Sequence, residues 1–523
     1  MLLKIALLVV FFAIMIGVGF ACRKSASSVQ GFVLGSRKVG SWLTAFAFGT
    51  SYFSAVIFVG YSGQFGWRFG LASTWIGIGN ALIGSLLAWR VLGRRTRLMS
   101  QHLKTATMPD FFGRRFSSNA LKVAASAIVF VFLIPYTASL YNGLSRLFGM
   151  AFGIDYTWCV LAMALLTGIY VLVGGYMATA VNDFIQGLIM LGGIVAVIVA
   201  VLKGFGGFTQ AVESLSAISS EAAPALNGAF VSFLGPRPIE LLGVVLLTSL
   251  GTWGLPQMVG KFYAIRDEAA IRKGTFISTV FALIVAGGCY FLGGFGRLFD
   301  GVIERTAAGT PVYDSIIPAM VATLPDAMIG VVIVLVLSAS MSTLSSLVLT
   351  SGSTLTLDII VPASKKLIGE RAQLRCIRIL VVFFIAVSSL LAIIQARSSV
   401  TFIAQLMGIS WGALAGAFLA PFLYALFWKR TTRAAVWASF IAGVGIMAGC
   451  LFCMFTGKTF ISPYFSSPIN AGVLAMLSGL VIVPIVSVFT KGCDRASVEN
   501  MFSCYSRTVT VPASDALSSE SEA

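Results

Sequence analysis

The chain runs to 523 residues with a formal net charge of +17; 58% of them are hydrophobic and 11% charged. Soluble domains average about 25% charged residues, and apolar runs of about 20 residues recur along the whole length, which excludes a soluble globular protein and specifies a polytopic helical membrane protein. The basic residues sit in the connections between apolar runs, where they set orientation, so the positive charge is not a nucleic-acid signal.

The first run covers 3–22. Lys4 is the only charge before it ends, and Arg23 and Lys24 follow. A secretory signal has the opposite bias, so an uncleaved helix with its N-terminus outside is expected. Twelve further spans follow, at 41–66, 71–93, 122–149, 156–180, 183–203, 238–262, 274–298, 327–357, 376–396, 401–428, 433–456 and 468–490. An odd count of thirteen places the C-terminus inside. The clusters Arg94-Arg95-Thr96-Arg97, Arg114-Arg115 and Lys429-Arg430 then fall in cytoplasmic connections. The connections around 204–237 and 299–326 carry Glu213, Glu221, Asp300, Glu304, Asp314 and Asp326 with few basic residues, and go outside. The tail from Lys491 ends in a Ser/Glu stretch and is expected to be disordered. Cys450 and Cys453 form a CxxC within an apolar span, which reads as small buried residues and not as redox chemistry. The sole histidine, His102, lies in a basic loop, and no His/Cys/carboxylate cluster points to a metalloenzyme.

Two spans are interrupted. The second reads FGTSYFSAVIFVGYSGQFG (Phe48–Gly66), with Gly49, Gly60 and Gly63 inside it. The seventh reads SLGTWGLPQ (Ser249–Gln257), with Gly251, Gly254 and Pro256. In lipid, broken backbone survives only where it lines a cavity within the protein. The freed carbonyls can coordinate a cation there, and half-helix N-termini can face an anionic group. The two spans run in opposite directions and each begins a five-helix group, spans 2–6 and 7–11, which is the layout of an inverted repeat.

The ninth span continues into Ser338–Asp358, SASMSTLSSLVLTSGSTLTLD, which is unusually rich in hydroxyls. Helical spacing aligns Ala339, Ser342 and Thr343, and also Ser342, Ser345 and Ser346. Neutral oxygens clustered at membrane depth suit a small hard cation stripped of water. Serines and threonines that bond back to their own helix, or let helices pack closely, are the alternative.

Five segments in order resemble the sodium:solute symporters: TATMPDFFGRRF (Thr105–Phe116), GGYMATAVNDFIQGLIM (Gly174–Met190), GTWGLPQMVGKFYAIRD (Gly251–Asp267), STLSSLVLTSGSTLTLDI (Ser342–Ile359) and WGALAGAFLAPFLYALFWKR (Trp411–Arg430). The resemblance runs from about Gly31 to Arg433. It implies an all-α, LeuT-type fold with thirteen transmembrane helices. Residues 1–40 would be an extra helix and a cytoplasmic loop, 41–203 the first inverted repeat, 204–237 an extracellular loop and 238–430 the second repeat. Two C-terminal helices (431–490) and a cytoplasmic tail (491–523) would follow.

The resemblance also implies sites. The shared sodium site maps to the carbonyls of Thr50, Phe53 and Ala339 and the hydroxyls of Ser342 and Thr343. A second sodium site, present in members similar to the sialic acid symporters, maps to Asp183, Ser342, Ser345 and Ser346. Asn182-Asp183 has an alternative reading as an N-cap of the helix beginning there, although a carboxylate at membrane depth facing hydroxyls favours a cation. Solute positions map to Tyr52, Ser54, Asn80, Tyr136, Ser249, Trp253 and Gln257. Tyr136 stands where the sialic acid symporters place an arginine, and Tyr52 where proline-type members place an aspartate. Of the acidic and amide groups of the sugar symporters, only Asn80 remains.

The resulting expectation is a sodium-coupled secondary active symporter, not an enzyme, that imports a small organic solute by alternating access. An amino acid or carboxylic acid is the first choice and sialic acid or a sugar the alternative. A solute sensor or a channel of the same fold is the rival from another class. The expected partners are the solute, co-transported Na+ and the lipid bilayer, with no other cofactor and no nucleic acid. A monomer in a bacterial inner membrane, with its C-terminus cytoplasmic, completes the expectation.

Overall fold

Lipid offers no partner to a backbone N–H or C=O, so apolar runs of this length fold as helices that satisfy themselves. The structure is a computed structural model that describes residues 2–307, 309–364, 368–396, 403–457 and 466–506. Among these, ten helices are long and apolar enough to cross a membrane. They become eleven when the bent pair Pro238–Gly254 and Pro256–Ala264, with 47° between its halves, counts as one span. The count of thirteen depends on where two long runs are divided. Tyr156–Gly204 extends over 49 residues and contains one non-helical residue, Gly175, at φ 55° and ψ −150°. A Cβ there would meet Phe32 at 2.9 Å, so both the turn and the close approach require glycine. Val56–His102 is 47 residues long, and its chain changes direction at Gly70, φ 63° and ψ −142°.

The break at Gly175 corrects the expected boundary at 181–182. Asp183 lies about two turns inside a continuous helix and does not cap one.

The centre of the protein is the helix Asp326–Thr354. Nearly every residue from Val332 to Thr354 is buried, hydroxyls included. It packs against Ser41–Tyr52, Asn119–Phe152 and Tyr156–Gly204, and against the first helix, Leu2–Ala21. A helix apolar all round reads as buried. Here serine and threonine replace part of the apolar surface without exposing it.

Charges sort onto two faces. On one, Arg37 donates to Ser100 Oγ and to the Tyr263 carbonyl, both at 3.2 Å, Arg97 to the Ile265 carbonyl at 3.1 Å, and Arg95 to the Leu426 carbonyl at 3.0 Å. The opposite face holds the pairs Lys4–Asp326 at 2.8 Å, Arg68–Glu240 at 2.8 Å and Arg146–Glu304 at 3.4 Å. The stretch after Lys491 is not all irregular, contrary to expectation. A helix spans Arg495–Phe502 and buries Val498, Met501 and Phe502, while Lys429 pairs with Glu499 at 2.6 Å. Amphipathic spacing in a short polar segment gave this docking, which the charge-rich composition obscured. Residues 507–523 lie outside the described residues.

Candidate functional site

The helix Ser41–Tyr52 stops at Phe53, whose backbone is extended at φ −86° and ψ 123°, and Ser54 is likewise non-helical. The seventh span breaks the same way: Leu255 has φ −88° and ψ 118°, and Pro256 opens the next half-helix. The second break falls where Pro256 forecasts it. The first contains neither glycine nor proline, and Gly49 and Gly63 on either side of it serve packing. A Cβ on Gly49 would sit 2.4 Å from the Phe281 ring, and one on Gly63 2.9 Å from the Tyr313 carbonyl.

A helix end leaves carbonyls without partners in their own segment. Here the hydroxyl helix meets them. Ser342 Oγ lies 3.1 Å from the Thr50 carbonyl and 3.0 Å from that of Ala339. Thr343 Oγ1 lies 3.2 Å from the Thr50 carbonyl, 3.2 Å from Phe53 and 3.1 Å from Ala339. Five oxygens thus converge, all in fully buried or nearly buried residues. Each hydroxyl carries one hydrogen, and each oxygen keeps two lone pairs. Two hydrogens therefore face three carbonyls, and surplus lone pairs point at one locus. Such a locus suits a cation that takes only oxygen ligands.

The second constellation differs from expectation. Asp183 is fully buried and neither carboxylate oxygen receives a hydrogen bond. The Lys261 ammonium stands 3.7 Å from Asp183 Oδ2 and donates to Ser346 Oγ at 3.0 Å. Ser346 Oγ in turn lies 2.9 Å from Ser51 Oγ, and the Tyr176 ring is 5.3 Å from the ammonium. Ser345 is turned away, donating to the Ser342 carbonyl at 2.9 Å. Ser342 itself belongs to the first constellation. Of the four groups mapped to a second sodium site, only Asp183 and Ser346 face one point, and a lysine fills it. Lys261 lies near the end of a predicted apolar span and was not singled out in the sequence; a lysine six residues after a break was the available signal.

The solute positions divide into two groups. Thr248 Oγ1 and Ser249 Oγ donate to Asn80 Oδ1 at 3.1 and 2.9 Å, leaving Asn80 Nδ2 without a partner. Tyr52 and Tyr136 both pack on Trp411, with ring centroids 5.7 and 6.0 Å away. The Tyr136 hydroxyl lies beside Ser54 and Trp411 without closing a hydrogen bond. The Tyr52 hydroxyl, Ser54 Oγ and Trp411 Nε1 are likewise buried and unpartnered. Buried polar atoms are ordinarily bonded, so this group of open donors and acceptors beside aromatic walls is suited to a small polar solute. Trp411 and Thr248 join this region although only the segment containing Trp411 was singled out in the sequence.

Trp253 and Gln257 fall elsewhere. Trp253 Nε1 donates to the Ile83 carbonyl at 3.0 Å. Gln257 lines a small cavity with Lys261, Ser346, Tyr176 and Thr107. That cavity adjoins a wider one of about 690 Å³ on the basic face, bordered by Arg37, Asp110, Lys122 and Asp358. Toward the opposite face, Ile316–Ala322 covers the far half of the second span, with Ile316 and Ile317 packed near Gly63. The cavity beside Lys261 and Ser346 thus lies toward the basic face.

Comparison with known proteins identifies the family and the fold. The family model described as the sodium:solute symporter family matches residues 32–443. The osmoregulated proline transporter OpuE of Bacillus subtilis is 28% identical over 497 residues, covering 93% of this chain and 95% of that protein. The sodium/proline symporter of Salmonella typhimurium is 28% identical over 435 residues, covering 82% and 84%. A solved Na+-coupled sialic acid symporter, in a substrate-bound outward-open state, superposes with a TM-score of 0.72 at 18% identity, covering 94% of this chain and 99% of that one. This last likeness establishes the shared fold.

Proposed function

The chain belongs to the sodium:solute symporter family, and from that premise we propose that it is a sodium-coupled symporter importing an amino acid or a carboxylic acid. The observation that carries the reading is the convergence of the Thr50, Phe53 and Ala339 carbonyls with the Ser342 and Thr343 hydroxyls. Sodium is the transported cation, and those five oxygens are its ligands.

Coupling follows from chain connectivity. Phe53 supplies a cage carbonyl, while its neighbours Tyr52 and Ser54 point open polar atoms toward the solute region. An ion that draws Thr50 and Phe53 onto the hydroxyl helix fixes the backbone on which Tyr52 and Ser54 ride. Ion and solute then stabilise one arrangement of three consecutive residues, which is a shared binding free energy. Residues 41–203 and 238–430 act as the two inverted repeats, rocking about this point.

The basic face is cytoplasmic by the positive-inside rule. The membrane is a bacterial inner membrane, and the single chain holds the whole site as a monomer. On this reading the cavity beside Lys261 and Ser346 faces the cytoplasm. Proline is the natural first probe, because two relatives are named for it. Tyr52 at the expected aspartate position, and the absence of an ionised side chain among Tyr52, Ser54, Asn80, Tyr136 and Ser249, leave solute charge to be met by half-helix dipoles.

The test is uptake into proteoliposomes under an inward sodium gradient, with a potassium gradient as control. The panel is proline, other neutral amino acids, lactate, pantothenate, sialic acid and glucose. Accumulation of an amino acid or carboxylic acid above equilibrium, only with sodium, is the expected result. A membrane potential adds about 2.3 kcal/mol per 100 mV for each co-transported charge. Equilibration without accumulation would identify a channel, and no sodium-driven flux of any compound would refute the reading.

A further inference from the structure

Sodium transport as proposed above leaves a buried cation, Lys261, without a role. Lys261 sits on the half-helix Pro256–Ala264, directly beyond the break at Leu255, and is 3% exposed. Its ammonium meets an acceptor set that a sodium ion would use: the Asp183 carboxylate at 3.7 Å and the Ser346 hydroxyl at 3.0 Å, with the Tyr176 ring at 5.3 Å. Among the described residues, Lys261 is the cation paired with Asp183. Two of the four residues that the sequence assigns to a second sodium site therefore coordinate a side chain of the protein itself.

A sodium ion beside that ammonium would suffer like-charge repulsion. At about 4 Å, with the effective dielectric of about 20 used for protein sites, the repulsion weakens binding on the order of a thousandfold. The neutral cage of Thr50, Phe53, Ala339, Ser342 and Thr343 carries no such cation among its ligands. We propose that Lys261 is a tethered cation standing in for the second sodium ion, so that this transporter binds one sodium ion per chain, and that removing the lysine charge opens a second sodium site at Asp183. The ammonium also joins three elements: the seventh span's inner half, the helix of Asp183 and the hydroxyl helix. It thereby fills the structural role that an exchangeable ion would otherwise fill. This inference rests on the symport reading and deepens it.

The test counts bound 22Na+ on the purified full-length protein, which needs no knowledge of the solute. Wild type should saturate at about one ion per chain, Lys261→Met at about two, and Lys261→Met with Asp183→Asn at about one again. Lys261→Arg, which keeps the charge, should remain with wild type. A wild-type count of about two, falling to one in Asp183→Asn, would overturn the proposal, as would a folded Lys261→Met that still binds about one. If Lys261→Met does not fold, Lys261→Gln and the wild-type count itself still decide. Failure of the symport reading looks different: wild type would bind no sodium, or Ser342→Ala would leave binding untouched.

Discussion

Two oxygen-rich points lie along one helix, roughly a turn apart, and the protein treats them oppositely. At Ser342 and Thr343, hydroxyls and carbonyls crowd within 3.0–3.2 Å of one another with no side-chain charge. At Ser346, a buried carboxylate stands opposite and a lysine of the same chain meets both. The first point has lone pairs to spare and suits an ion that comes and goes. The second carries its own cation, so its geometry is held in every state that keeps the pair. A hydroxyl helix is thus not a row of equivalent ligands; what faces each hydroxyl from the neighbouring helices decides its role.

The largest expected effect comes from emptying the first point. Ser342→Ala with Thr343→Ala removes two of five ligands. At about 1.5–3 kcal/mol for each contact to a charge, the half-saturating sodium concentration for uptake should rise on the order of a hundredfold or more. Sodium titration of proteoliposome uptake measures this, and an unchanged titration would break the comparison at its stronger half.

Next is the charged pair. Asp183→Asn leaves Lys261 buried without its partner, and breaking a buried pair costs about 3–5 kcal/mol. A lowered unfolding midpoint of the purified protein is expected, with most of it regained by adding Lys261→Met. Equal stability of the single variant and wild type would show that the pair holds nothing.

A smaller effect is expected in the solute region. Tyr136→Phe removes one hydroxyl from the group around Ser54 and Trp411, and one lost hydrogen bond of about 1 kcal/mol should raise the solute KM several-fold. Sodium dependence should stay as in wild type. Smallest of all is Ser345→Ala. Its hydroxyl bonds back to the Ser342 carbonyl, so the change in sodium dependence should be less than about twofold. A large effect would restore Ser345 as an ion ligand.

Most of the architecture was legible because lipid forces long apolar helices, and because a cluster of hydroxyls within one is conspicuous. The spacing that aligned Ala339, Ser342 and Thr343 also brought them to one point in space. Three things were hidden. The first break lies at Phe53–Ser54, where no glycine or proline marks it. The helix of Asp183 begins at Gly175, since a positive φ is invisible until the chain is folded. Lys261 was not singled out, because sequence position does not reveal that a half-helix after a break points its residues inward. Trp253 and Gln257 were placed with the solute by resemblance, whereas the fold sets them beside Ile83 and beside Lys261.

The most direct measurement is a pair of high-resolution maps of the protein, one in sodium chloride and one in choline chloride. The account predicts density only in sodium, at about 2.4 Å from the Thr50, Phe53 and Ala339 carbonyl oxygens and the Ser342 and Thr343 hydroxyls, a usual distance between hard cations and oxygen. Sodium-dependent density beside Asp183 with Lys261 swung away, and none among those five oxygens, would contradict it.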